Sequence, residues 1–325
     1  MTMQTQKPKL SDRCVGRWAS LLPMLGVPMA HLKNRHGPCP MCGGTDRFRF
    51  DDKDGKGTWI CSHCGSGNGI DLALKITGLE FRDLMREVDK LLPDATVVMP
   101  KAQRSDAEKR YTVDRIWRRA LPLNGLCPAS RYLIRRGLSM PGNWPTQLRY
   151  LPEARYRHED KSVTLHHGMV AQFVAPDLAG RTVHITYLTE DGRKADLPKT
   201  KMLAPAPVPR GGAVRLFPSA ETMGVAEGIE TALSAARLYS MPVWSCLSAD
   251  GLLKWEPPQH VRKVVIFGDA DKSFAGQHVA YGLAYRLASK GIEVLPTLPD
   301  ELDIDWNDVL NAEQTLYTDD SSVLV

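Results

Sequence analysis

Four of the chain's seven cysteines fall in two matching knuckles, Cys39-Pro-Met-Cys42 and Cys61-Ser-His-Cys64, separated by eighteen residues. Each C-x-x-C turn aims two thiolates at one point. The interval is long enough for a hairpin that brings the two points together, so the spacing predicts a tetrahedral zinc ribbon held by Cys39, Cys42, Cys61 and Cys64. A disulfide pair is the other use of such cysteines, and an intracellular chain disfavours it. His36 and His63 flank the knuckles but are not needed as ligands beside four thiolates, and Cys14, Cys127 and Cys246 read as buried or bystander thiols. Between the knuckles Phe48 and Phe50 alternate with Arg47 and Arg49, the period of a half-exposed strand. Arg47 and Arg49 are candidate phosphate contacts. Phe48, Phe50 and Trp59 offer rings for unstacked bases, although some of them must form the ribbon's own core.

A ribbon this small uses little of a 325-residue chain, which leaves length for further domains. No apolar run approaches the roughly 20 residues that span a bilayer, and "MTMQTQKPKLSDRC" has no signal-like apolar core. A cytoplasmic protein without a membrane partner is expected. The net charge of +5 permits an anionic partner without demanding one, so its distribution matters more. Arg131, Arg135, Arg136, Arg149, Arg155 and Arg157 stand against a lone Glu153, whereas Asp300 to Asp320 holds only acidic charges. The basic run is either a solvated surface or a nucleic-acid contact.

After the ribbon, "GIDLALKITGLEFRDLMREVDKLL" places Leu72, Ile76, Leu79 and Leu84 at mostly helical spacing, which predicts one or two helices ending before Pro93. A charged stretch without periodicity follows and regains a helical pattern near Ile116 and Trp117. "LAPAPVPRGG" is a Pro/Gly-rich connector. Beyond it the chain alternates. A short strand runs into Glu227-Gly228, then comes a helix with Ile229, Leu233 and Ala236 on one face. "MPVWSCLSA" and "KVVIFGDAD" are further strands. A helix with Ala280, Leu283, Ala284 and Leu287 inward is closed by Gly291 before the strand "IEVLPTL". Such alternation predicts a parallel α/β sheet, whose strand ends bring Glu227, Asp269 and Asp271 to one edge. Converging carboxylates are costly unless a hard cation neutralises them, and magnesium takes oxygen ligands while leaving room for phosphate. That donor set suits phosphoryl transfer. For D-x-D alone, a capped loop is the other reading.

"VAEGIETALSA" with "VVIFGDADKSFAGQ" resembles the Toprim domain, and the order zinc ribbon, "ASRYLIRRGL", Toprim resembles bacterial-type, DnaG-like DNA primases. "HGPCPMCGGTDRFRFDD" and "DWNDVL" are most similar to forms carried by phages, conjugative plasmids and integrative elements. The resemblance implies an α+β and α/β multidomain chain: a zinc-ribbon domain at 1–92, a linker and entry helix at 93–120, the N-terminal part of the primase core at 121–215, Toprim at 216–312 and a tail at 313–325. It implies a nucleotidyltransferase that makes primers from nucleoside triphosphates on single-stranded DNA. One structural zinc and catalytic Mg2+ or Mn2+ would be its cofactors. Glu227 would be the acid/base or metal-positioning carboxylate, and Asp269 and Asp271 metal ligands. Cellular enzymes carry an aspartate where this chain has Thr231. Glu230, Asp305 and Asp308 are the candidates to supply that charge, the two aspartates first. Lys199 and Lys201 fall where the family has basic residues in its cleft, and are either nucleotide or template contacts or solvated lysines. With Arg135 and Arg136 they complete the candidate basic set. No P-loop is present, so a replicative helicase or other replication protein is expected to act in trans. A different Toprim enzyme such as a nuclease, or a non-catalytic zinc-ribbon replication regulator, are the rival readings.

Overall fold

The computed structural model describes residues 9–98, 104–140 and 143–320, and the chain divides between residues 103 and 104 into two compact units. In the first unit, α1 (Leu10–Arg13) and α2 (Trp18–Met24) precede a four-stranded antiparallel sheet of β1 (Gly37–Cys39), β2 (Gly43–Phe50), β3 (Trp59–Cys61) and β4 (Gly65–Gly67), in sequence order. Two helices, α3 (Gly69–Thr77) and α4 (Phe81–Leu91), follow. The break between them is set by Gly78, whose φ of 66° ends α3 in the left-handed region. Asn68 and Asp71 cap the start of α3 reciprocally. Leu72, Leu84 and Val88 seal against Trp18, Leu21 and the ribbon's Phe48, Phe50 and Trp59. Gly69 is glycine for space, since a Cβ there would lie 2.1 Å from the Trp18 ring. Residues just beyond Pro93 still belong to this unit: Ala95 is buried in its core and the Val98 amide donates to Gly16. The middle of the expected linker, 99–103, and the last five residues of the expected tail lie outside the described residues.

The second unit opens with α5 (Asp106–Arg119), started by a Ser105/Glu108 capping box. A five-stranded antiparallel meander follows, formed by β5 (Leu121–Pro122), β6 (Leu148–Arg157), β7 (Val163–Val174), β8 (Arg181–Leu188) and β9 (Lys201–Leu203), with α6 (Pro128–Arg135) between the first two strands. One face of this sheet packs Leu151, Tyr156, Val183 and Ile185 against Val113 of α5. The other packs Leu148, Met169, Ala171 and Leu188 against α6 and against the sheet that follows.

That sheet is parallel in the order β11-β10-β12-β13, built from β10 (Thr222–Ala226), α7 (Ile229–Leu238), β11 (Val243–Ser245), α8 (Ala249–Lys254), β12 (Lys263–Phe267), α9 (Ala275–Ala288) and β13 (Glu293–Thr297). Alternate residues divide between its faces. Val225, Val264 and Ile266 meet α9 through Ala280, Leu283 and Leu287, while Ala226, Val265 and Phe267 face α7 and the antiparallel sheet. The chain closes with α10 (Trp306–Asp320), so "DWNDVL" begins a helix that runs into the expected tail. Its Trp306 is buried at right angles to Phe267, 5.3 Å between ring centres, and donates to the Gly268 carbonyl. No helix among the described residues is long and apolar enough to cross a membrane.

Candidate functional sites

The four knuckle sulfurs lie within 4.8 Å of one another. Cys39 and Cys64 Sγ are 4.0 Å apart and Cys42 and Cys61 Sγ 3.7 Å, close to the edge of about 3.8 Å that a tetrahedron of ~2.3 Å Zn–S bonds requires. Backbone amides support the cluster, with Met41 N–H aimed at Cys39 Sγ and Cys64 N–H at Cys61 Sγ, each at 3.4 Å. Burial raises the Cys61 thiol, but the amides of Cys64 and His63 and the neighbouring sulfurs outweigh it and bring the thiol down to about 7. An all-sulfur tetrahedral set of this size fits zinc. The rings expected to stack on bases are otherwise engaged: Phe48, Phe50 and Trp59 are all core, with Phe48 and Trp59 stacked at 5.9 Å and the indole N–H given to Asn68. A ribbon of this size has too few other large side chains to build its interior. Arg47 stays exposed, and Arg49 is partly covered beside Asp51 at 3.7 Å.

At the carboxyl edge of the parallel sheet, Glu227 follows β10 and Asp269 and Asp271 follow β12. Glu227 is anchored by its carbonyl, which accepts from Leu247 N–H at 2.7 Å and from the Ser245 hydroxyl at 2.8 Å. Burial first, and then the Asp269 charge, push its carboxyl above the ordinary value, while the Ala249 amide and Lys201 pull the other way. Asp269 is raised for the same reasons, by burial, then by Asp305, then by Asp271. Its Oδ1 is buried without a hydrogen-bond partner among the described residues. Asp271 differs. It accepts from the Ser273 hydroxyl, from Gly276 N–H at 2.8 Å and from Ala275 N–H at 3.2 Å, and these bonds hold its carboxyl below the usual value. The loop-cap reading is therefore realised at Asp271 and not at Asp269. Gly276 makes the close turn possible, because a Cβ there would meet the Asp269 carbonyl oxygen at 2.3 Å. Among the described residues only the four cysteines bring their donor atoms within 4.8 Å of one another, so Glu227, Asp269 and Asp271 do not form a closed cluster; the orphaned oxygen of Asp269 is the feature that suits a hard divalent cation.

The acidic candidates for a further site separate. Asp305 caps α10, accepting from Asn307 and Asp308 N–H at 2.8 and 2.9 Å, and Asp308 reaches back to Asp305 N–H at 3.2 Å. Asp305 nonetheless bears electrostatically on Asp269 and lies 3.7 Å from Arg136. Glu230 is 6% exposed and fully used: Tyr132 of α6 donates to Oε1 at 2.6 Å and Lys201 of β9 to Oε2 at 2.9 Å. Burial would raise it, yet the Lys201 charge and the Tyr132 hydroxyl hold it down to about 2. Lys201 also lowers Glu227, so one ammonium serves both acids. His184 lies buried nearby with its Nδ1 unpartnered among the described residues, and burial, with Lys201, pushes its imidazole down to about 4. Tyr132 and His184 are residues that sequence reasoning missed as part of the site. The motif "ASRYLIRRGL" contains Tyr132, but nothing local ties it to Glu230, 98 residues away. Among the remaining basic candidates, Arg135 turns to the Asp191 carbonyl at 2.9 Å and Lys199 is exposed.

Three family models match the chain. Residues 34–70 match the zinc-binding domain of primase-helicase, residues 222–315 the Toprim domain, and residues 107–216 a domain of unknown function, DUF7146. Zinc ribbon and Toprim domain in this order define a chain of the DNA primase class. Among solved structures, the chain is similar to the zinc-binding and RNA polymerase domains of Aquifex aeolicus primase at 18% identity and TM-score 0.40, covering 87% of this chain and 77% of that one. It is similar to the primase fragment of the bacteriophage T7 primase-helicase at 12% identity and TM-score 0.35, with coverage of 88% and 98%. A DnaG catalytic domain bound to single-stranded DNA matches at 14% and 0.41, with coverage of 65% and 81%. The class rests on the family matches, not on these likenesses.

Proposed function

We propose that the chain synthesises short oligonucleotide primers on single-stranded DNA, from nucleoside triphosphates, for replication of a phage, plasmid or integrative element. The observation that carries this reading is the pairing of Asp269, buried with an orphaned oxygen, with Glu227, whose carboxyl is raised beside it. Asp269, Asp271 and Glu227, bordered by Asp305 and Asp308, would hold a divalent metal ion, which would supply positive charge for phosphoryl transfer. Glu227, whose carboxyl burial and the Asp269 charge raise above the ordinary value, takes the proton of the attacking 3′-hydroxyl. Lys201, pinned by Glu230, offers a fixed positive charge for the triphosphate. Lys199, Arg135 and Arg136 are the further nucleotide or template contacts on this unit, and Arg47 and Arg49 those on the ribbon, where Cys39, Cys42, Cys61 and Cys64 hold one structural zinc. A cytoplasmic site of action and a helicase or other replication protein in trans belong to the same reading.

One assay separates this reading from its rivals: single-stranded DNA, labelled nucleotides and magnesium, resolved on a gel. Primers support it. Cleavage products indicate a nuclease, and a shifted band alone a non-catalytic regulator. Asp269→Asn keeps the shape but removes a charge that holds the cation, and primer synthesis is expected to fall roughly a hundredfold or more while DNA binding persists. Priming at the parent rate by that variant overturns the catalytic reading.

A further inference from the structure

Strand β8 carries a row of polar side chains on its inner face. Thr182, His184 and Thr186 stand two residues apart, so all three project the same way. Their cross-strand neighbours on β7, Phe173, Ala171 and Met169, belong to the core shared with the parallel sheet, which places the row on that side. Thr182 and Thr186 are fully buried and His184 is 7% exposed. Yet Thr182 Oγ1, His184 Nδ1 and Thr186 Oγ1 have no hydrogen-bond partner among the described residues. One such atom is an exception in a folded protein; three along one face of one strand form a pattern. A dry hydroxyl there would be a standing cost that valine avoids, so the row implies a polar occupant.

The two ends of the row lead to different places. At one end Thr182 pairs with Phe173, and His184 with Leu203 of β9. Phe173 and Leu203 both line a groove of 300 Å3 whose walls include the exposed Asp250 and Lys254. At the other end Thr186 pairs with Lys201, whose ammonium reaches Glu230 at 2.9 Å. Strand geometry sets the repeat of the row at about 6.8 Å. A water bonded to two groups at about 2.8 Å each spans about 5.6 Å, which suits that repeat once the side chains lean together. Water is the usual partner of polar groups so enclosed. The row also stays uncharged, since burial and then Lys201 hold the His184 imidazole down to about 4. We propose that Thr182, His184 and Thr186 hold a file of buried waters running from the groove to Lys201, and that Thr186 is thereby a positioning residue for its ammonium. A lysine ammonium has three N–H donors. Glu230 accepts one, the last water of the file a second, and the third is left for a triphosphate. That use of Lys201 rests on the primase reading; the waters do not.

Two measurements test the proposal. The first is thermal denaturation of the full chain, which involves no chemistry. Thr182→Val and Thr186→Val keep the shape and remove a hydroxyl. If the hydroxyls hold waters, each variant should lower the melting temperature of residues 104–320 by about 2–4 °C. An unchanged or raised melting temperature in either variant means a dry hydroxyl and overturns the file. The second is primer synthesis with the nucleotide concentration varied. Thr186→Val should raise the nucleotide KM roughly fivefold while kcat stays near the parent value, because the ammonium is misdirected and the carboxylates are untouched. Thr186→Ser, which restores the hydroxyl, should recover most of that loss. A KM that does not move in Thr186→Val, a loss confined to kcat, or a serine variant as weak as the valine one overturns the positioning role. A parent chain that makes no primer fails the primase reading instead, and denaturation alone then decides the file.

Discussion

Glu230 shows how one side chain can be mistaken for a ligand when only its neighbours in sequence are visible. Three residues after Glu227, it looked able to supply a charge where Thr231 stands. In the fold its carboxylate already has two partners, Tyr132 and Lys201. Its depressed value fixes a pH dependence. The stabilisation is present above the unfolded value of 4.5 and is lost as pH falls through the folded value of about 2. Glu230→Gln is therefore expected to cost about 2 kcal/mol at pH 7, the scale of a hydrogen bond to a charged group, and progressively less below pH 4. Urea denaturation of parent and variant at pH 7 and pH 3 measures both; an equal deficit at the two pH values would exclude the ion pair as its source. Priming should also slow in this variant, since Lys201 is no longer held beside Glu227.

Among the elements, α10 illustrates what a short motif does. "DWNDVL" contributes a cap through Asp305 and Asp308, an anchor through Trp306, and a tie through Asn307, whose amide donates to the Arg136 carbonyl at 2.6 Å and to Ser234 at 3.1 Å. Trp306 joins Phe267 and Tyr239 in an edge-to-face cluster against the end of β12. Trp306→Ala should cost about 3–5 kcal/mol in chemical denaturation, the usual loss for a buried aromatic. It should also release Asp305 from Asp269, so priming should fall further than stability alone explains. A variant that is destabilised yet primes normally would show that α10 only closes the core. The sequence pattern reached the helices whose apolar stripe is strong, α3, α4, α7 and α9. It passed over α8 and α10, which are short or acidic, because their anchoring comes from residues distant in the chain.

At the scale of the whole molecule, each of the two units has its own core. The ribbon unit is small, so its four-cysteine cluster should account for much of its stability. Metal analysis is expected to find one zinc per chain. Cys61→Ser with Cys64→Ser should abolish it and remove the ribbon unit's melting transition, while the transition of residues 104–320 persists. Unchanged zinc content in that double variant would sink the ligand assignment. The knuckle spacing, the β–α alternation and the acids at the ends of β10 and β12 were legible in the sequence, because each depends on residues close in the chain: a turn, a period or a strand end. The five-stranded meander was not. Its strands β6 to β8 are paired by register across turns, β8 is buried on both faces while half of β6 is exposed, and the basic residues of β6 hid its alternation. The partners of Glu230 and the orphaned oxygen of Asp269 were decided only by tertiary structure. Each is made by side chains brought together from separate elements, and pairing, burial and charge compensation at such places are properties of distance in space that no local pattern encodes.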